Sequence, residues 1–195
     1  MLTIHFKSKT AQTLLDFFYS NPSASIYLRD LGRRLSIPAG SLQRHLAQLE
    51  KEGVLSSKKE GPLKYFFLNP QYPYFSELQS VVLKSQRKKM LEKNLKKLVQ
   101  RLKKTYQPEK IILFGSLAKG RVSSDSDLDL LIVKKNLPER YWDRVKELAP
   151  LLSECAVGVD YVIWSPEELA AETEKNRFLK EEILEKGKIF YDRAA

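Results

Sequence analysis

The residues best suited to chemistry lie around two apolar runs in the second half of the chain. The first run, residues 111–114, has the length of a buried strand and stops at Gly115 and Ser116, where backbone without a Cβ approaches a ligand closely. Ten residues separate Ser116 from Asp127, and Asp129 follows at the head of the second run. Side chains alternate along a strand, so both carboxylates project to one face. Two such carboxylates repel each other unless a cation joins them, and oxygen-only ligands suit magnesium.

This spacing, Gly-Ser, ten residues and Asp-Leu-Asp, resembles the signature of the DNA polymerase beta type nucleotidyltransferases, especially the minimal nucleotidyltransferases of prokaryotes. In that family Gly-Ser holds the nucleoside triphosphate, two aspartates hold magnesium, and a third carboxylate lies on a later strand. The resemblance covers about the C-terminal half of the chain. It implies that Gly115 and Ser116 bind nucleotide, and that Asp127, Asp129 and Asp160 bind metal and are catalytic.

Other interpretations of these residues stay open at this point. Ser-Asp-Ser-Asp is also the composition of a polar turn, since both residue types hydrogen-bond their own backbone. That interpretation accounts for Asp125, but not for Asp127 and Asp129 beside an apolar run. A salt bridge on an edge strand is the competing role for Asp160. Lys119 either adds positive charge for the triphosphate, as a nucleotide-binding residue, or faces solvent.

The resemblance implies a metal-dependent enzyme that transfers a nucleoside monophosphate to an unidentified hydroxyl acceptor and releases pyrophosphate. ATP is the favoured donor, and two magnesium ions are expected, since this chemistry depends on positioning and charge neutralisation. Two alternatives remain. One is a transcriptional regulator whose C-terminal domain only senses nucleotide. The other is an antitoxin-like enzyme that nucleotidylates a partner protein, as some minimal nucleotidyltransferases do to a HEPN-type toxin ribonuclease.

The two halves of the chain differ in charge. Residues 1–106 contain 20 Lys and Arg against 7 Asp and Glu, a balance of +13, whereas residues 107–195 contain 14 against 17, a balance of −3. A basic half joined to a mildly acidic half indicates two domains and a polyanionic partner for the first.

Residues 8–70 have the pattern of a winged helix-turn-helix. A helix at 28–35 precedes a second helix that stops at Gly53, and strand-like runs follow at 54–59 and 63–68. The pattern resembles the winged-helix domains of prokaryotic transcription regulators, whose third helix enters the major groove while the wing follows the backbone. The alternative is a protein-docking or dimerisation module with lysines in solvent. The resemblance implies double-stranded DNA contacts from Ser41, Gln43, Arg44, Gln48, Lys58, Lys59 and Lys64.

These patterns together predict an α+β protein in three parts. Residues 1–74 form a winged helix-turn-helix DNA-binding domain, and residues 75–106 form a helical linker or the first helix of the catalytic domain. Residues 107–195 form a nucleotidyltransferase fold, a small mixed β-sheet with helices on one side. A homodimer seam along 75–106 is an alternative to packing on the sheet. Trp142 is predicted to anchor an amphipathic helix in the core.

Cysteine usage and hydropathy indicate the compartment. Cys155 is the single cysteine, so the chain forms no internal disulfide and a cytoplasmic location is predicted. The N-terminus carries no long apolar segment, which predicts no signal peptide, and no run reaches the length of a membrane span. No membrane partner is expected.

Overall fold

The computed structural model describes residues 8–194. It divides into two compact units, one extending to Leu83 and one beginning at Lys84. The prediction about the extreme N-terminus falls partly on residues 1–7, which lie outside the described residues. Within the described part of the chain, no helix combines the length and the apolar character that crossing a membrane requires.

The first unit contains the helices and the hairpin that the sequence predicts. Its strands form an antiparallel sheet with β3 between β1 and β2. The helix at 28–35 is confirmed, and the strand predicted at 54–59 is displaced by one residue. The elements are α1 (Lys9–Ser20), β1 (Ile26–Tyr27), α2 (Leu28–Leu35), α3 (Ala39–Lys51), β2 (Leu55–Glu60) and β3 (Leu63–Leu68).

Helix α3 presents one apolar face to the core and one polar face to solvent. Leu42, Leu46 and Leu49 are buried at the spacing of one helix face. The helix ends just before Gly53, whose φ of 77° is the left-handed conformation that glycine adopts without strain. The side chains between these leucines are therefore turned away from the core.

A single helix, α4 (Phe75–Thr105), begins in the first unit and continues into the second. The absence of glycine and proline predicts one long helix or two in series, and the structure has one. Leu78 and Val82 are each 2% exposed and belong to the core of the first unit. Farther along the helix, Leu91 and Leu95 pack in the core of the second unit.

The second unit is built on a mixed sheet, as predicted. The strand order is β6-β5-β4-β7, with β5 parallel to β6 and β4 antiparallel to both of its neighbours. The elements after α4 are β4 (Lys110–Phe114), α5 (Gly115–Ala118), β5 (Leu128–Val133), α6 (Tyr141–Leu152), β6 (Val159–Trp164), α7 (Pro166–Lys175), the π-helix α8 (Leu179–Glu185) and β7 (Lys188–Asp192).

Helices cover both faces of this sheet, so the prediction of helices on one side is wrong. Leu130 of β5 packs on one face with the leucines of α4. Leu131 packs on the other face with Leu179 and Ile183 of α8. The sequence carries the signal, because β5 is apolar at consecutive positions rather than alternating, which is typical of a strand buried on both faces.

Helix α6 buries an arginine and exposes a tryptophan. Trp142 is 73% exposed, so the prediction that it anchors the core is wrong, and Leu148 fills that role. Trp142 lies two positions from the buried Arg144, about 200° around the helix, and therefore faces solvent. Arg144 donates to both Glu168 oxygens at 2.7 and 2.8 Å and to the carbonyl of Pro138 at 2.6 Å. These bonds compensate the buried guanidinium for its lost hydration.

Candidate active site

Strands β4 and β5 bring the turn after β4 against a carboxylate. Phe114, the last residue of β4, pairs with Asp129 of β5. Gly115 follows with a φ of 68°, and a Cβ at this position would lie 1.9 Å from Asp129 Oδ2 and 2.5 Å from its Cγ. The main chain of Ser116 hydrogen-bonds the same carboxylate. Gly115 therefore meets two requirements, a left-handed backbone and direct contact with Asp129.

Strand β6 places Asp160 beside Asp129. The two residues are paired in the parallel register of β5 and β6, so their side chains share one face of the sheet. Burial raises the pKa of Asp129, and the carboxylates of Asp160 and Asp127 raise it further, against the lowering effect of the Ser116 hydrogen bond. A half-buried carboxylate beside like charges favours a cation as neighbour.

Asp127, just before β5, is held by an arginine that the sequence does not single out. Arg87 of α4 donates from Nη2 to Asp127 Oδ1 at 3.0 Å and from Nε to the carbonyl of Ser126 at 2.7 Å. The Asp127 carboxylate also lies against Gly158, where a Cβ would come within 2.6 Å of its Cγ. Asp127 thus has a positive partner within the protein.

The carboxylates fit magnesium by their chemistry, although they are not gathered into a ready cage. Across residues 8–194, no group of three or more acidic, histidine or cysteine side chains is arranged to hold a metal ion. Asp127 is paired with Arg87, whereas Asp129 and Asp160 share one face of the sheet. All three offer the carboxylate oxygens that magnesium prefers.

Lys119 and Asp125 are two further residues of this segment for which the sequence leaves more than one role open. Lys119 pairs with Glu182 of α8, which also pairs with Lys186 at 2.6 Å, and these hydrogen bonds lower the pKa of Glu182 to about 2. The ammonium of Lys119 is close enough to Asp129 to lower the pKa of that carboxyl. Asp125 is exposed, and hydrogen bonds from neighbouring serines lower its pKa, as expected for a polar turn.

The residues predicted to contact DNA lie on α3 and on the β2–β3 hairpin of the first unit. Gln43, Arg44 and Gln48 are exposed, on the face of α3 that turns away from the core. Gln48 donates to Glu52 at 3.0 Å. Ser41 is half-buried, and its carbonyl accepts a hydrogen bond from the next turn of the helix. The helix face is therefore polar and open, apart from Ser41.

Two of the three hairpin lysines already have acidic partners. Lys64 pairs with Glu50 at 2.6 Å, and Lys58 pairs with Glu60 at 2.7 Å. The hydrogen bond from Lys64 is the main cause of the lowered pKa of Glu50. Lys59 lies opposite Lys64 in the strand register. These acids compete with phosphates for the lysines, which a count of charges along the sequence does not reveal.

Comparison with known proteins establishes the family. Residues 95–190 match the nucleotidyltransferase domain family. A candidate protein adenylyltransferase of Methanocaldococcus jannaschii is 34% identical over 111 residues, which are 54% of this chain and 74% of that protein. The chain belongs to the nucleotidyltransferase family. It is a nucleotidyltransferase enzyme, and the matched range contains Gly115, Ser116, Asp127, Asp129 and Asp160 but neither Arg87 nor the first unit. A crystal structure of a candidate nucleotidyltransferase from Sulfolobus solfataricus, at 1.40 Å resolution, covers 57% of this chain and 89% of its own at 21% identity, with a TM-score of 0.43.

The sequence pattern of this nucleotidyltransferase does not reveal Arg87 or Gly158 as site residues. Arg87 is one of many basic residues along α4, and its contact with Asp127 spans 40 residues. No local pattern carries that contact. Gly158 had a usable signal, because a glycine beside an apolar strand marks a close approach of another group. That group is the carboxylate of Asp127.

Proposed function

We propose that this nucleotidyltransferase transfers a nucleoside monophosphate from a nucleoside triphosphate to an acceptor hydroxyl, with pyrophosphate as the leaving group. The observation that carries the proposal is the contact between Gly115 and Asp129, because it joins the triphosphate-binding turn to the carboxylates. ATP is the favoured donor, since the relative from M. jannaschii is named as an adenylyltransferase.

In this proposal the chain contributes positioning and charge. Gly115, Ser116 and Lys119 bind the triphosphate through main-chain groups, a hydroxyl and an ammonium. Asp127, Asp129 and Asp160 are the proposed ligands of magnesium. Bound metal ions neutralise the triphosphate and lower the pKa of the attacking hydroxyl. Fixed geometry accounts for much of the remaining rate enhancement in transfers of this kind.

We infer a hydroxyl of a protein side chain as the acceptor. The support is the relative that is 34% identical and carries the name of a protein adenylyltransferase, 74% of which this chain covers. A nucleic-acid end is the other acceptor that the chemistry allows. Label transferred from ATP distinguishes the two, because protease removes it from a protein and nuclease removes it from a nucleic acid.

The decisive experiment compares three variants in cell extract supplied with α-labelled ATP and magnesium. Asp127→Asn and Asp129→Asn each remove a proposed metal ligand and are expected to abolish transfer. Asp125→Asn is the matched control, because it makes the same chemical change in the exposed turn two residues from Asp127. Equal damage from Asp125→Asn contradicts the assigned register, and no labelled product with the wild type contradicts the proposed activity.

We further propose that the first unit is a winged helix-turn-helix that binds double-stranded DNA, with α3 in the major groove and the β2–β3 hairpin along the backbone. The support is the exposed polar face of α3 and the balance of +13 over residues 1–106. Duplex binding by the full chain is expected to weaken steeply with salt, by about 0.9 in log–log slope for each neutralised phosphate. Replacing Arg44 with alanine is expected to reduce discrimination between sequences by about 1–3 kcal/mol.

The ion pair between Glu50 and Lys64 supplies a sharper test of DNA binding. Glu50→Gln frees the ammonium of Lys64 for a phosphate and is expected to strengthen binding to all duplexes alike. Glu77→Gln is the matched control, because it removes the same charge from an exposed position of the same unit. Equal gains for both variants would show a general charge effect, and no duplex binding at low salt would end the DNA proposal.

A further inference from the structure

Arg87 makes two directed hydrogen bonds to consecutive residues just before β5. Its Nε donates to the carbonyl of Ser126 and its Nη2 to Asp127 Oδ1. The Arg87 side chain is 21% exposed, whereas that of Asp127 is 42% exposed. One planar guanidinium therefore holds both a main-chain group and a carboxylate, an arrangement for which arginine is better suited than lysine.

The charges around the site give this contact a function beyond packing. Asp127, Asp129 and Asp160 are like charges, and Asp127 is the one that hydrogen-bonds a cationic side chain. A guanidinium on Oδ1 neutralises the carboxylate, so it also reduces the attraction of Asp127 for a metal ion. The same carboxylate lies against Gly158, where a Cβ would come within 2.6 Å of its Cγ.

We propose that Arg87 is a positioning residue and counter-ion for Asp127: it holds the carboxylate in place without nucleotide and weakens cation binding until the triphosphate arrives. This inference rests on the proposed function, in which Asp127 binds magnesium. The negative charge of a metal-bound triphosphate then offsets the positive charge of Arg87. Cation binding is thereby coupled to nucleotide binding.

Helix α4 also provides a matched control. Arg101 donates from Nη1 to the carbonyl of Leu151 at 2.8 Å and from Nη2 to Glu154, and its side chain is 29% exposed. It repeats the pattern of one carbonyl and one carboxylate, away from Asp127. Arg87→Gln and Arg101→Gln therefore remove the same kind of contact from the same helix, and only the first touches the site.

The test measures binding of Mn²⁺, a cation that suits the same oxygen ligands, by calorimetry on the full chain without nucleotide. Arg87→Gln is expected to bind Mn²⁺ about tenfold more tightly, because a positive charge beside the ligand is removed. The same variant is expected to transfer nucleotide more slowly, because Asp127 is no longer held. Arg101→Gln is expected to change neither quantity. If Arg87 had only a structural role, Arg87→Gln would weaken Mn²⁺ binding as well as nucleotide transfer. An unchanged or weaker Mn²⁺ affinity in this variant overturns the inference.

A conservative variant and amide exchange test the positioning role directly. Arg87→Lys keeps the positive charge but loses the planar pair of donors, so it is expected to bind Mn²⁺ as the wild type does while transfer stays slow. Amides of residues 120–127 are expected to exchange faster in Arg87→Gln than in the wild type or Arg101→Gln. Equal exchange in all three proteins contradicts positioning by Arg87.

Asp129→Asn separates a failure of this inference from a failure of the proposed function. Mn²⁺ binding at the carboxylates is the part that the wild type shows and Asp129→Asn loses. If there is no such difference between the two proteins, with or without ATP, the carboxylates hold no metal and both proposals fail. If that binding exists and Arg87→Gln leaves it unchanged, the inference about Arg87 alone fails.

Discussion

The contact between Gly115 and Asp129 can be tested by adding one methyl group. In Gly115→Ala the new Cβ would lie 1.9 Å from Asp129 Oδ2, and an ordinary contact begins at 3.4 Å, so the oxygen must retreat by about 1.5 Å (3.4 − 1.9). The Cβ of Asp129 is also only 3.0 Å away, so rotation of the carboxylate alone does not relieve the clash.

Gly120→Ala isolates the backbone contribution. Gly120 has a φ of 70°, close to the 68° of Gly115, and a Cβ there would meet nothing within 4 Å. Both variants are expected to lose about 1 kcal/mol of unfolding free energy, because a side chain is strained at positive φ. Gly115→Ala is expected to lose a further 1–2 kcal/mol or so from overpacking.

The two variants should separate most clearly in activity. A displacement of about 1 Å at a reacting centre costs about a hundredfold in rate, so Gly115→Ala is expected to lose at least that much transfer from α-labelled ATP. Gly120→Ala is expected to keep nearly all of it. Unfolding in urea is followed by the fluorescence of Trp142 and Trp164, the two tryptophans of the chain, both in the second unit. Equal activity in the two variants would refute the view that Gly115 is needed to place Asp129.

Two further substitutions test the site and the core. Gly158→Ala introduces a Cβ 2.6 Å from Asp127 Cγ at a position without positive φ. Nucleotide transfer should therefore fall about a hundredfold, while the urea midpoint barely moves. A normal transfer rate would show that Asp127 tolerates displacement. Glu168→Gln leaves Arg144, whose side chain is 9% exposed, without its charged partner. Because Glu168 is 40% exposed, the expected loss of unfolding free energy at pH 7 is about 2 kcal/mol, less than for breaking a fully buried ion pair. Because the Arg144 hydrogen bonds lower the pKa of Glu168 below its ordinary 4.5, this stabilisation is complete above that pH and disappears as pH falls through the lowered pKa. The wild type and Glu168→Gln should therefore converge in stability in acid, and a gap that is constant with pH would contradict the assignment.

The parts of the fold that the sequence predicts are those that local patterns determine. The apolar run before Gly115 and the run after Asp127 became neighbouring strands, and their spacing brought the turn to Asp129. Alternation along β6 put Asp160 on the same face. Periodicity and turn chemistry are local properties, so they indicate the strands and their exposed faces without knowledge of the tertiary structure.

The parts that the sequence does not predict depend on partners far along the chain. The amphipathic pattern of α6 predicts Trp142 in the core, yet Trp142 is exposed and Arg144 is buried against Glu168. The resemblance to winged-helix domains implies a DNA contact from Lys64, and the structure pairs this lysine with Glu50 of α3. Arg87 has the same composition signal as the solvent-facing lysines around it. In each case the burial or the ion pair of the residue depends on a side chain from another part of the chain, so local composition does not predict it.

The continuity of α4 limits how this protein can be divided. One helix supplies Leu78 and Val82 to the first core and Leu91 and Leu95 to the second. A fragment that ends at residue 74 lacks two nearly inaccessible side chains of its own core, and is expected to be less stable than one that continues to residue 83 or beyond. A fragment that begins after Leu91 keeps Leu95 but loses Leu91 from the second core, together with the Arg87 hydrogen bonds. Protease cleavage of α4 near Leu78 and Val82 should therefore report on unfolding of the first core, and cleavage near Leu91 and Leu95 on unfolding of the second core.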